Sequence, residues 1–204
     1  MASYYASVFT DLGRQRSPWG RVPREEVAGL IAEYRYLAES LASQYGCLHR
    51  NFQGDGHLFI FESADAALQF SMKLIDRWDS GNFRSTGQAR SPNLPLHLGC
   101  HFGDATRLDG GDAWIGRSVD LVRRIAGAAG PAALLVTENV LDASDVAMYE
   151  FQPAGAHALE GDHLPQRTLY EVISSVSEAL DGAPERSTAE TYFLAGVAYI
   201  GTGK

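Results

Sequence analysis

The chain has 204 residues and a net charge of -8, enough length for one domain with a substantial core and the wrong charge for a general nucleic-acid binder. Its composition, 45% hydrophobic and 21% charged, is that of an ordinary globular protein. No run approaches the roughly 18 apolar residues of a membrane span, and the N-terminus lacks the basic start of a signal peptide. We therefore expect a cytoplasmic protein without a membrane or nucleic-acid partner, in which Cys47 and Cys100 are reduced.

The first two predicted elements are a short strand and a long helix. Residues 4–9 (YYASVF) are typical of a strand, and Asp11 follows at its carboxyl end. Apolar residues recur at helical spacing over residues 24–45, and Gly46 is a natural helix end. This is the most strongly periodic segment of the chain.

A hairpin and a second helix come next. Residues 47–52 and 57–61 are typical of two hairpin arms, joined by a turn that contains Asp55 between two glycines. Turns of this composition are common in proteins without any chemical role, so the turn alone leaves that question open. Ser63 is a candidate N-cap, and the helix after it carries apolar residues at Ala67, Phe70, Leu74 and Trp78.

The second half of the chain alternates strand-like and helical segments. We predict a loop at 79–93, a strand at 94–102, a turn-rich return at 103–111, a helix at 116–129, and strands at 132–137, 147–151 and 168–172. Helices interleaved with hairpins indicate an α+β fold, with helices packed on a mainly antiparallel sheet. We expect one domain at 1–174 and a C-terminal tail at 175–204.

Two acidic residues from separate segments are the candidate metal ligands. If the first strand lies between the hairpin arms, as in ferredoxin-like arrangements, Asp11 and Asp55 emerge at the same sheet edge. Such a pair suits divalent cations, because Mg²⁺ binds through one or two carboxylates together with substrate phosphates. The turn after Asp11 contains Arg14 and Arg16, which either hold a polyphosphate or belong to a solvated loop.

Five segments of the sequence together resemble a known family. They are FTDL at 9–12, FQGDGHLFIF at 52–61, LPLHLGCHFGDA at 94–105, WIGRSVDLVRRIAGAAGPAALLVTENV at 114–140 and LEGDHLPQRTLYEV at 159–172. In order and spacing the chain resembles the class III nucleotidyl cyclase catalytic domain over residues 4–174. The resemblance implies a ferredoxin-like βαββαβ sandwich and the cyclisation of a nucleoside triphosphate, with release of pyrophosphate.

The resemblance also implies roles for individual residues. Asp11 and Asp55 match the aspartates that bind two divalent metal ions, Mg²⁺ or Mn²⁺, and the Leu12 carbonyl matches a backbone ligand. Arg124 matches the arginine that stabilises the transition state, and Asp120 matches an asparagine that orients the ribose. Two chains pair head to tail in this family, so the resemblance implies a homodimer whose active sites take metal ligands from one subunit and the arginine from the other. The alternative for Arg124 and Asp120 is a pair of ordinary helix-surface charges.

The positions that read the base depart from both purine patterns. Asn51 stands where purine cyclases have a lysine, Ala113 stands where they have an aspartate, and Asp112 is one place early. An Asn amide has both a donor and an acceptor, so it suits either uracil or cytosine. The chain thus resembles the stand-alone pyrimidine cyclases of the Pycsar anti-phage systems, which make cyclic UMP or cyclic CMP from UTP or CTP.

Two other functions remain open. The first is an adenylate cyclase that makes cAMP from ATP, with Asp112 taking the role that Ala113 cannot fill. The second is a catalytically silent homologue with a regulatory binding role, against which stands the presence of both acids. His97 occupies a position that usually holds an arginine, and we expect a packed or dimer-contact histidine there rather than a catalytic base.

Overall fold

The computed structural model describes residues 3–13, 24–53, 56–81, 94–108, 113–159 and 166–175. These residues form eight strands, four α-helices and a short 3-10 helix at Val146–Met148. In chain order the elements are β1 (Ser3–Leu12), α1 (Arg24–Gln44), β2 (His49–Gln53), β3 (Gly56–Phe61), α2 (Ala64–Asp79), β4 (Leu96–Arg107), β5 (Trp114–Ile115), α3 (Arg117–Ala128), β6 (Ala133–Thr137), α4 (Glu138–Ala143), β7 (Tyr149–His157) and β8 (Arg167–Ser175).

The strands form one sheet in the order β2-β3-β1-β4-β6-β8-β7, with β5 attached to β4. Strands β4 and β6 pair in parallel, and the other pairs along this order are antiparallel. The predicted α+β class with a mainly antiparallel sheet is therefore confirmed. The predicted place of the first strand is wrong: β2 and β3 pair directly, and β1 lies between β3 and β4. Only residues 54 and 55 separate β2 from β3, and such a short connection pairs its two arms with each other.

Helices cover both faces of the sheet. Side chains alternate between faces along a strand, so Ala6 and Val8 of β1 pack with α1 and α2, whereas Tyr5 and Phe9 point to the side of α3. The larger core lies on the α1 and α2 side and includes Tyr34, Phe59, Phe61, Phe70 and Trp78. The opposite side is closed by Val119, Val122 and Ile125 of α3. We call this second side the α3 face.

The two predicted N-terminal helices are confirmed, together with their end signals. Gly46, two residues beyond the last residue of α1, has a φ of 69°, and the amide of Cys47 donates to the carbonyl of Ala42 at 2.9 Å. The Ser63 hydroxyl accepts from the Ala66 amide at 3.2 Å at the start of α2. The four apolar positions predicted for α2 are fully buried.

Several predicted boundaries are wrong. Residues 103–107 continue β4 instead of turning back. Residues 103–105 pair with the N-terminal end of β1, through Tyr5–Gly103 and Ser3–Ala105, and residues 106 and 107 pair with β5. The sequence analysis missed β5 and α4, and the strand expected at 147–151 begins only at Tyr149. The predicted loop beyond residue 81 and the tail beyond residue 175 lie outside the described residues, so the division into domain and tail stays a prediction.

No helix in the described part of the chain combines the length and the apolar character required to cross a membrane. Both cysteines are free thiols, Cys100 fully buried and Cys47 half-buried. Burial raises the pKa of the Cys100 thiol to about 12.

Candidate active site

Asp11 lies one residue before the end of β1, on the α3 face. It follows Phe9 at strand spacing, and Phe9 packs on the side of α3, so the Asp11 side chain shares that face. Its Cα is paired with Gly56 of β3 on one side and with His97 of β4 on the other. Leu12, whose carbonyl is the predicted backbone ligand, is the buried last residue of β1.

Gly56 fixes the start of β3 against the end of β1. A Cβ at this glycine would lie 2.5 Å from the Cζ atom of Phe9 and 2.8 Å from the Thr10 carbonyl oxygen, so a larger residue would force the two strands to shift. The first residue of β3 therefore lies directly beside Asp11. Asp55, bonded to Gly56, lies outside the described residues, and the second carboxylate stays a prediction. Arg14, Arg16 and Asp112 likewise lie outside them.

Helix α3 rests directly on the backbone of β4. A Cβ at Gly99 would come within 2.4 Å of the Ala126 nitrogen and 2.6 Å of the Val122 oxygen, so only glycine permits this approach. Val122 and Ala126 are fully buried beneath the helix, while Asp120 is exposed and Arg124 is partly exposed. Asp120 and Arg124 are four residues apart and so lie on the same side of the helix.

Arg123 also belongs to this face, through a contact with β1 that the sequence did not predict. The Arg123 guanidinium carbon lies 5.4 Å from the ring centroid of Phe9, within the range of a cation-π contact. Phe9 is two residues before Asp11, so α3 contacts β1 close to the predicted metal ligand. The contact joins two segments far apart in the chain, and no local pattern signals it.

His97 is a packed histidine, in line with the sequence interpretation. Its side chain is nearly buried, and its Nδ1 donates to the Ala129 carbonyl oxygen at 2.9 Å. Ala129 is the residue that follows α3, so His97 binds the carboxyl end of the helix that carries Arg124.

A buried group of polar side chains lies next to Asp11 on the opposite face of β1, the side of α1 and α2. The hydroxyls of Thr10 and Tyr34 form a short hydrogen bond, and the Thr10 hydroxyl also donates to the His57 carbonyl at 3.5 Å. The His57 ring lies 4.6 Å from Phe52 and 5.3 Å from Phe59, measured between ring centroids. Burial lowers the pKa of His57 to about 4, because the charged imidazolium would lose its water in this aromatic surrounding.

The predicted base-reading residues lie at the margin of the same face. Asn51 is exposed on β2, and Ala113 is exposed just before β5. Trp114 follows Ala113 and packs edge-on against Tyr5, with ring centroids 4.8 Å apart. Its ring centroid is also 6.3 Å from that of His49, which shares one side of β2 with Asn51. The structure thus brings Asn51 and Trp114 into one region of the α3 face.

Among the residues that the structure describes, no group of three or more His, Cys, Asp or Glu side chains is arranged to hold a metal ion. A cation at Asp11 would therefore need oxygen donors from Asp55, from the backbone or from a bound phosphate.

Comparisons with known proteins give matches to solved structures only: no protein-family model matches the chain, and no curated protein matches it in sequence. The adenylyl cyclase CyaB from P. aeruginosa superposes with a TM-score of 0.71 at 20% identity, over 86% of this chain and 96% of that one. The guanylate cyclase domain of RhGC from Catenaria anguillulae, solved with GTP, gives 0.70 at 14% identity, over 85% and 98%. A non-canonical dimeric guanylyl cyclase domain from Blastocladiella emersonii gives 0.68 at 16% identity, over 85% and 97%. The chain therefore has the fold of class III nucleotide cyclase catalytic domains.

Proposed function

We propose that the chain is a nucleotide cyclase, which joins the ribose 3′-oxygen of a nucleoside triphosphate to its α-phosphorus and releases pyrophosphate. One observation carries the proposal. On a cyclase fold, the Cα of Asp11 is paired with Gly56, and the residue bonded to Gly56 is Asp55. We propose that the carboxylates of Asp11 and Asp55, which come from two distant segments, meet at this end of the sheet.

The residues at this edge suit divalent metal ions. Asp11, Asp55 and the carbonyl of Leu12 are hard oxygen donors, the type that Mg²⁺ and Mn²⁺ prefer over nitrogen or sulfur. Two such ions, when bound, would activate the attacking 3′-oxygen and offset the charge of the phosphates. Arg14 and Arg16 follow Leu12 closely and are proposed to hold the polyphosphate.

The arginine half of the site is proposed to come from a second copy of the chain. Arg124 would offset the negative charge that develops on the α-phosphate, and Asp120 would orient the ribose. Asp120 is exposed and Arg124 is partly exposed, which is compatible with contact to a partner. We therefore propose a homodimer with two composite sites, each taking Asp11 and Asp55 from one chain and Arg124 from the other.

The proposed substrate is a pyrimidine triphosphate, UTP or CTP. Adenylyl and guanylate cyclase domains match this chain almost equally well, so the fold does not select the base. The choice then depends on side chains. Asn51 replaces the lysine that reads adenine in similar cyclases, and it also departs from the pattern of guanine cyclases, which use other polar residues there. Trp114, packed between Tyr5 and His49, adds ring surface beside the small Ala113 and supports a one-ring base. The product, cyclic UMP or cyclic CMP, is proposed to act as a cytoplasmic antiviral signal.

The alternative substrate is ATP, supported by Asp112, which lies one place from the expected acid. One assay distinguishes the candidates. The purified protein is incubated with each of the four ribonucleoside triphosphates and Mn²⁺, and the products are identified by mass spectrometry. Cyclic UMP or cyclic CMP supports the proposal, cAMP alone supports the alternative, and a folded dimer without any product supports a silent homologue.

Variants test the composite site. Asp55→Ala and Arg124→Ala should each abolish turnover, whereas mixing the two proteins should restore it, because a heterodimer retains one complete site. Asp142→Ala, which removes an exposed acid from α4, is the control and should leave turnover unchanged. Mixtures that stay inactive although heterodimers form would contradict the shared site. Phage challenge of cells that carry the intact or the Asp55→Ala gene tests the antiviral role.

A further inference from the structure

We propose that His97 is a positioning residue, which fixes the strand of Asp11 and the helix of Arg124 relative to each other within one chain. The inference rests on the proposed function. In the proposed dimer these two residues serve different active sites, although one chain supplies both. His97 would therefore connect the metal-binding half of one active site to the arginine half of the other.

The first connection is to Asp11. His97 and Asp11 are Cα partners across β4 and β1, and directly opposite residues of an antiparallel pair have Cβ atoms about 4.5–5.5 Å apart. Both side chains lie on the α3 face, because Asp11 alternates with Phe9 and His97 reaches the end of α3. On its other side His97 is paired with Ala133 of β6, so it occupies the centre of the sheet.

The second connection is to α3. The last carbonyls of a helix have no amide donor within the helix, and a buried end needs another partner. His97 supplies one, since its Nδ1 lies 2.9 Å from the Ala129 oxygen and a carbonyl can only accept. In the neutral ring this places the hydrogen on Nδ1. The bond is buried, with 7% of His97 and 2% of Ala129 exposed.

Neighbouring contacts make this connection stiff. The cross-strand pair next to Asp11 and His97 on the same face is Phe9 and Gly99. Arg123 of α3 lies over Phe9, and the backbone of α3 lies against Gly99. The helix thus contacts two successive pairs of β1 and β4, and a change at the Asp11 pair is passed to the helix end through His97.

Two substitutions separate this role from simple packing. In His97→Asn the side-chain NH₂ takes roughly the place of Nδ1 and still donates to Ala129, whereas His97→Leu fills similar space without a donor. Each is placed in heterodimers built from Asp55→Ala and Arg124→Ala chains, which contain one complete site. The chain with Arg124→Ala supplies the metal ligands of that site, and the chain with Asp55→Ala supplies its arginine.

The expected result depends on the chain that carries the change. His97→Leu in the metal-supplying chain should raise the Mn²⁺ concentration needed for half-maximal rate, and in the arginine-supplying chain it should lower kcat with the Mn²⁺ requirement unchanged. Each effect should be about tenfold to a hundredfold, the scale of a misplacement approaching 1 Å. His97→Asn should retain most of the wild-type rate in both placements. Equal losses for Asn and Leu, or an effect confined to one placement, would overturn the proposal.

A control and a second readout complete the test. His101→Leu removes another nearly buried imidazole from the same face of β4, one that bonds Thr137 at 2.8 Å, and should cost stability without the placement-dependent split. Amide hydrogen exchange in the last turn of α3, measured without substrate, should speed up in His97→Leu and not in His97→Asn. Because exchange needs no turnover, an inactive wild type would contradict the proposed function, while equal exchange in the two variants would contradict the role of His97.

Discussion

Replacing Gly99 with alanine tests how closely α3 packs against the backbone of β4. The added Cβ would lie 2.4 Å from the Ala126 nitrogen, 1.0 Å short of the 3.4 Å at which ordinary contact begins. Helix backbone cannot rotate away as a side-chain tip can, so the helix itself would have to retreat by up to about 1 Å. Overpacking of this kind typically costs about 1–3 kcal/mol, and a 1 Å misplacement of Arg124 would lower turnover by roughly 100-fold.

The assay is urea unfolding together with turnover of the preferred triphosphate. Gly29→Ala is the matched control, because Gly29 lies exposed in α1 with nothing within 4 Å of an added Cβ. That substitution should raise the free energy of unfolding by about 0.5–1 kcal/mol, through the higher helix propensity of alanine, and leave turnover unchanged. If Gly99→Ala were as stable and active as the wild type, the close seating of α3 on β4 would be refuted.

Two further predictions concern the polar group behind Asp11. Tyr34→Phe should lower the free energy of unfolding by about 1–3 kcal/mol, because it removes a partner of the buried Thr10 hydroxyl. Adding Thr10→Val should recover part of this loss. Strict additivity in the double-mutant cycle would show that the two hydroxyls are not coupled. Burial lowers the pKa of His57 from 6.5 to about 4, so between these pH values the unfolded state binds more protons than the folded state. The free energy of unfolding should therefore be highest above pH 6.5 and should fall towards pH 4 by up to about 1.4 kcal/mol per pH unit. This decline should be reduced in His57→Phe, and an unchanged slope would contradict the assignment to His57.

Local signals predicted those parts of the fold that depend on local physics. Helix α1 follows from helical spacing, and the chain leaves it through Gly46, two residues after its end, whose φ of 69° suits glycine. Ser63 begins α2 because its hydroxyl satisfies an amide that the helix leaves without a partner. The extension of β4 through Arg107 was not predictable in this way, since residues 103–105 are held in a strand by pairing with β1, almost a hundred positions earlier in the chain.

In the candidate site, too, local features were predictable and contacts between distant segments were not. The sequence predicted that Asp11 and the hairpin acid meet, and the structure pairs Asp11 with Gly56, the first residue of β3, although the assumed strand order was wrong. The position of Asp55 itself stays a prediction. The contacts of α3 with Phe9 and with His97 were not predictable, because each joins residues more than 30 positions apart and neither partner has an unusual local sequence. Glycine at position 99 is understandable only once the helix is seen against it.

The position of Asn51 in the sheet has a consequence for how such a protein changes over time. Asn51 is exposed on β2, which is an edge strand, and Ala113 is exposed outside the core, whereas Asp11 lies on a central strand. Substitutions at exposed sites of this kind usually alter stability by less than about 0.5 kcal/mol. If Asn51 and Ala113 read the nucleobase as proposed, mutations at these two positions can change the base preference while Asp11 and its strand stay intact, and such a scaffold could diversify its products without first becoming more stable.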